Sequence, residues 1–289
     1  MRPSAAVALA RLLPLLAAVF ALLPVLTLVA ASFVRNDLTG GGLRIEALRE
    51  PTVANHAEVL TAVLALRSES RSTGLTTLLR YFANTALVAA STVVVSLVLA
   101  IAGALVLTRS GFRGSNVFAQ ASLWGYVLPP VVLVVPYAHL LARLGLAGSL
   151  RGLILAHIGF CLPLALWLMT QYFAAIPFEW DRLADLDGYG CFGTISRVLL
   201  PHASPGLGAV AAFVAVLSWN DIVLAYILAS ERTKTLGVGI QDAFPTETLN
   251  SSSTVAAATL WVSLPLIICV VAAYALLIRR TRRHWGLSL

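Results

Sequence analysis

Long apolar runs, each near the length that crosses a bilayer, constrain this chain more than anything else in it. A membrane-spanning helix needs ~20 mostly apolar residues. Runs of that kind occupy residues 12–34, 79–107, 117–141, 153–173, 207–229 and 255–278. Lipid offers no partner to a backbone N–H or C=O, so runs of this kind must close their own hydrogen bonds as helices. Composition agrees: 59% of the residues are hydrophobic and 11% charged, with a mean hydropathy of +0.88. A soluble domain carries about a quarter charged residues. The expectation is an all-α polytopic membrane protein with about six transmembrane helices, forming a single transmembrane domain over residues 1–289. Val29 and Ala31 in the first run fit a signal-peptide cleavage site. Its apolar stretch is nonetheless longer than the roughly 7–15 residues of a signal core, which makes it a retained helix.

The polar stretches between the runs set the orientation. Residues 35–78 hold mixed charges, Gly40-Gly41-Gly42 and an amphipathic segment over residues 56–66. Arg279, Arg280, Arg282 and Arg283 directly follow the last run. Basic residues at a helix end mark the cytoplasmic side. The net charge of +7 is therefore read as membrane anchoring and contact with lipid, not as nucleic-acid binding. Both termini are expected in the cytoplasm of an inner or plasma membrane protein, with residues 35–78 extracytoplasmic and 279–289 a cytoplasmic tail. Prolines 14, 24, 129, 130, 136, 163 and 265 lie inside the runs and can each kink a helix. No inverted repeat is visible, which weighs against a transporter built from such repeats.

Several chemistries are missing from the sequence. A phosphate-binding loop of the form GxxxxGK[ST] needs a lysine, and Lys234 follows Arg232-Thr233 instead. The five histidines are dispersed, and Cys161, Cys191 and Cys269 are not spaced as a metal clip or redox pair. No catalytic residue, metal site or cofactor is expected on this chain, and an enzyme is disfavoured. If ATP drives it, another subunit binds the ATP.

The segment between the fourth and fifth runs is the most informative. It reads Ile176-Pro177-Phe178-Glu179-Trp180-Asp181-Arg182-Leu183-Ala184-Asp185-Leu186-Asp187-Gly188-Tyr189 and continues to Val198-Leu199-Leu200-Pro201. Pro177 is placed to open a helix, and Glu179 and Asp181 follow in its first turn, where negative charge suits the dipole. Trp180, Leu183, Ala184 and Asp187 recur at helical spacing, and Gly188 is a natural stop. A second helical stretch carries Phe192, Ile195 and Leu199 on one face, with Pro201 expected to close it. The spacing predicts a helix–Gly–helix pair over residues 177–201.

This segment resembles the cytoplasmic coupling loop, the EAA loop, of binding-protein-dependent ABC importer permeases. Asp187-Gly188 matches the loop's Asp-Gly, Val198-x-Leu200-Pro201 its ending, and Ala184 its second alanine. Arg182 and Leu183 stand where the motif has Glu and its first Ala. Further matches flank it: Tyr81-Phe82-Ala83-Asn84-Thr85, the link from Arg109 to Gly114, Leu128-Pro129 to Pro136-Tyr137, Leu144-Gly145-Leu146, and Trp219-Asn220-Asp221. Together they resemble the carbohydrate-type permeases, in particular the second permease of the maltose transporter, over residues 80–240. The resemblance implies the type I ABC importer permease fold. It also implies a sugar or sugar-like solute, a second permease subunit, a dimer of ATPase subunits that bind ATP and Mg, and an extracytoplasmic solute-binding protein. By the same resemblance Arg182, Leu183, Ala184, Asp187, Gly188, Ile195 and Pro201 couple the chain to the ATPase.

Asn84, Trp219, Asn220, Asp221 and Tyr226 are polar or amphipathic residues within or near the runs, and are candidates for the solute pathway. A carboxylate in the bilayer costs several kcal/mol, so Asp221 should face the bundle interior or water. At helical spacing Trp219, Val223 and Tyr226 share a face, an arrangement that can grip a sugar. The competing reading has Trp219 packing at a subunit interface and Asp221 capping or bridging helices. A second functional class also stays open: a secondary transporter driven by an ion gradient, with Asp221 as its ion site.

Overall fold

A computed structural model describes residues 19–20, 22–34, 51–65, 74–111, 113–243 and 252–284. The triglycine at residues 40–42 and the end of the tail lie outside the described residues. The described elements are all helices: α1 (Leu22–Ser32), α2 (Ala54–Ala65), α3 (Gly74–Arg109), α4 (Ser115–Val127), α5 (Pro130–Arg143), α6 (Leu150–Ala174), α7 (Glu179–Leu186), α8 (Cys191–Thr194), α9 (Leu200–Trp219), α10 (Val223–Leu228), α11 (Leu236–Ala243) and α12 (Ser252–His284). Among the described residues four helices are long and apolar enough to cross a membrane, or five if the bent pair α4–α5 is one span. The expected first span, residues 12–34, is described only as the shorter apolar α1.

The chain forms two compact units, Met1–Leu78 with Ile240–Leu264, and Leu79–Gly239 with Pro265–Leu289. In the first, α2 is organised by Asn55. Its buried side-chain amide donates to the carbonyls of Ser32 at 2.8 Å and Val34 at 2.6 Å, at the C-terminal end of α1. Those carbonyls have no partner inside α1, so Asn55 supplies one. Thr254 Oγ1 donates to Glu58 at 3.1 Å and Trp261 Nε1 to His56 at 3.3 Å, tying α2 to α12.

The second unit is built around α6, which buries Leu153, Ala156, His157, Phe160, Cys161, Leu164, Ala165, Met169, Thr170 and Phe173. Residues on several sides of this helix are buried, because α4 and α9 both pack on it. Gly206 of α9 lets the packing close: a Cβ there would run into the ring of Tyr172 on α6. Small residues at a membrane helix contact serve this close approach.

Three expectations are corrected here. The run over residues 117–141 is not one straight helix: α4 and α5 meet at a 93° bend. Leu128 is extended (φ −64°, ψ 125°), as the residue before a proline tends to be, and Pro129 and Pro130 together lack two N–H donors. The run over residues 207–229 is also broken, between Trp219 and Val223. Trp219 therefore does not share one continuous helix face with Val223 and Tyr226. Finally, Pro201 does not close the second helix of the 177–201 segment. A π-helical turn, Ile195–Leu199, joins α8 to α9, and Pro201 sits in the first turn of α9. The Leu200 N–H reaches back to the Ile195 carbonyl. That wide turn falls just before Pro201, where a missing donor and a bulky ring would disturb a regular α-helical ladder. Residues 191–219 thus read as one continuous 29-residue helical span. The last helix, α12, continues through His284.

Candidate functional site

The 177–201 segment folds as a knob. α7 starts after Pro177 with Glu179 and Asp181 in its first turn and ends at Leu186, before the turn at Asp187-Gly188. Gly188 has φ +77°, a conformation that costs a glycine nothing. Its N–H donates to the Asp185 carbonyl at 3.0 Å, and the Tyr189 N–H donates to the Ala184 carbonyl at 2.9 Å. These two bonds form a Schellman cap, which satisfies the carbonyls left over at a helix end. The turn redirects the chain into α8. Ala184, 2% exposed, is the inward residue of α7, while Leu186 at 84% and Phe192 at 82% stand in the open. Leu183 and Phe178 are exposed as well. A loop with large apolar side chains outward and a small one inward is shaped to be covered by something else.

The knob is held at its base by α3. Arg109, the last residue of α3, places Nε 3.2 Å from Asp181 Oδ2, an ion pair without the alignment of a hydrogen bond. It also donates from Nη2 to the Ile176 carbonyl at 3.0 Å, and its guanidinium lies 4.6 Å from the centre of the Phe178 ring. On the other side the Trp180 ring packs tilted against His202, with ring centres 4.4 Å apart. His202 Nδ1 is 2.7 Å from the Val198 carbonyl in the π turn. Of the expected coupling residues, Ala184 is buried at the base, and Arg182, Leu183, Asp187, Gly188 and Pro201 are exposed. Ile195 is half-buried in the π turn. Arg109 was legible as the start of the basic link that resembles the family's, but not as a contact of the 177–201 segment.

The expected pathway residues do not converge on one site. Asn84 is buried and donates to the carbonyls of Arg232 and Lys234, each at 3.0 Å. Its neighbour Thr85 accepts the Leu236 N–H at 2.7 Å. Both side chains pin α3 to the 232–236 strap. Trp219 is buried and meets the Phe82 ring edge-on at 5.7 Å. Asp221 lies in the break after α9, where its Oδ2 accepts the Leu224 N–H at 3.1 Å and the Ala225 N–H at 3.2 Å. The same oxygen is 3.3 Å from His157 Nε2 on α6, without the alignment of a hydrogen bond. Asp221 thus caps α10 and bridges it to α6, which is the competing reading of its role. Asn220 and Tyr226 are exposed, Asn220 bonding back to the Val216 carbonyl at 3.1 Å. Sequence reasoning did not find His157, although a fully buried histidine in an apolar run is a visible oddity.

Residues 93–283 match the family described as the binding-protein-dependent transport system inner membrane component. An ABC transporter permease protein of Streptomyces antibioticus is 33% identical over 61% of this chain and 78% of its own length. The trehalose transport system permease protein SugB of Mycobacterium tuberculosis is 30% identical over 62% of this chain and 66% of its own. In three dimensions the chain is similar to a bacterial ABC transporter involved in the import of alginate. There the TM-score is 0.61 at 20% identity, covering 96% of this chain and 98% of that one, a likeness of fold. With several apolar helices, one of them broken at a proline pair, and a capped knob at the motif position, this multi-pass membrane protein belongs to the binding-protein-dependent transport system inner membrane components, the permeases of ABC transporters.

Proposed function

We propose that this chain is one of two permease subunits of an ATP-driven importer and forms half of the translocation pathway for a sugar or sugar-like solute. An extracytoplasmic binding protein delivers the solute. A dimer of separate ATPase subunits binds ATP and Mg and engages this chain through the knob at residues 177–201, on the cytoplasmic side with both termini. The observation that carries this reading is the knob itself: Leu183, Leu186 and Phe192 exposed on a rigid, glycine-capped turn at the place of the family's coupling motif. Residues 35–78 then face the outside and 279–289 the cytoplasm. Support for the sugar comes from the likeness to a trehalose transport permease.

An ion-gradient mechanism would need a carboxylate free to bind its ion. Asp221 instead spends its Oδ2 on two backbone donors and on His157, which favours the passive-gate reading. The test of the solute class is a thermal-shift screen of the cognate binding protein against trehalose, maltose, diacetylchitobiose, glycerophosphodiesters and amino acids. A disaccharide is expected to raise its melting temperature. Stabilisation only by amino acids would remove the sugar.

A further inference from the structure

We infer that Arg109 is a positioning residue that locks the coupling knob to the end of α3, so that the two move as one body during the transport cycle. The inference rests on the reading of residues 177–201 as the coupling loop. Its ground is the distribution of the Arg109 contacts. The tether between α6 and α7 is only Ala175-Ile176-Pro177-Phe178, and a short tether alone can hinge. Arg109 grips it at successive points: the Ile176 carbonyl at 3.0 Å, the Phe178 ring at 4.6 Å, and Asp181 in the first turn of α7 at 3.2 Å. The side chain of Arg109 is 14% exposed and that of Asp181 27%, so the contact is largely sheltered from water. A guanidinium can donate to a carbonyl, pair its charge with a carboxylate and lay its face over an aromatic ring at the same time. An ammonium, a compact point charge, cannot.

Force reaching α7 from an ATPase is therefore delivered to two places in this chain. One is α9, through α8 and the π turn. The other is the C-terminal end of α3, through Arg109. Since α3 runs unbroken from Gly74 to Arg109, a displacement at Arg109 is a displacement of a long rigid rod.

The test uses the whole importer in proteoliposomes, with spin labels on Ser110→Cys and Asp185→Cys, both exposed, in an otherwise cysteine-free chain. The distance between them is read without nucleotide and in the vanadate-trapped ATP state. The expected result is one narrow distance, unchanged between the two states, that broadens in Arg109→Gln, Arg109→Lys and Asp181→Asn. In the same variants, uptake per ATP hydrolysed should fall at least about fivefold, the low end of measured coupling between sites. The probe is the disaccharide that stabilises the binding protein in the screen above. The Arg109→Gln/Asp181→Asn double variant should be no worse than either single one, because a shared contact is lost only once. A wild-type distance that changes between states, or a narrow distance in an Arg109→Lys complex that assembles normally, would overturn the lock. So would losses that add in the double variant. The distance arm needs no sugar, so the lock fails separately from the importer reading, which fails if wild-type uptake is independent of ATP.

Discussion

Gly188 carries its role in one angle. Nothing lies within 4 Å of the place where a Cβ would sit, so a side chain there meets no neighbour, and its cost is the left-handed backbone at φ +77°. Gly188→Val should strain the cap by roughly 1 kcal/mol or more, leave the chain inserted, and lower uptake per ATP. Gly188→Asn, which tolerates this conformation, should retain most of it. Measuring uptake and hydrolysis together in both variants checks the pair, and a valine variant with the wild-type ratio would remove the turn from the mechanism. Asp221 is a second residue whose place decides its use. Because it caps α10, Asp221→Ala should cost about 1 kcal/mol from the lost cap and leave His157 without its neighbour. Asp221→Asn keeps a capping oxygen and should cost less. Thermal unfolding of the solubilised protein reads both. Equal and negligible shifts would mean that the cap is not a support and would return Asp221 to the pathway.

Among the elements, the close approach of α6 and α9 depends on Gly206 fitting under the Tyr172 ring. Gly206→Leu should overpack this contact and destabilise the chain by roughly 1–3 kcal/mol. Tyr172→Ala added to it should recover part of the loss, as thermal unfolding would show; no recovery would place the strain elsewhere. At this scale the sequence was only partly legible. Hydropathy marked α3, α6 and α12 because a long uniform run has one outcome in lipid. It could not show the bend after Val127 or the break after Trp219. A window average is blind to a local change of direction, and Asn220 and Asp221 are too few to interrupt a run of apolar neighbours. Pro201 misled for a related reason. A proline stops a helix or sits in its first turn, and the π turn that selects the second outcome has no signature in hydropathy. The Asp187-Gly188 pair, in contrast, was readable because a glycine at a helix end has a specific backbone task.

For the whole molecule, the family was legible because its motif sits at a fixed place among the apolar runs, and the matched region, residues 93–283, contains that motif. The pathway was not, because polar residues in a membrane protein can serve packing as readily as solute. Asn84 holding the Arg232 and Lys234 carbonyls is such a case. The proposed orientation predicts that Asp185→Cys, in a chain with Cys191→Ser because Cys191 is itself exposed, reacts with an impermeant thiol reagent only in inside-out vesicles, and labelling in intact cells would reverse the topology. The central claim is that this permease is worked from outside itself, by an ATPase seated on the exposed face of the knob. Its most direct test is affinity purification of the tagged chain from its native membrane, with vanadate-sensitive ATP hydrolysis measured on the eluate. The wild type should bring down an ATPase and a second permease. Leu186→Asp combined with Phe192→Asp should keep the second permease and lose the hydrolysis, because charge replaces the apolar contact. Full hydrolytic activity recovered with the doubly substituted chain would contradict the account.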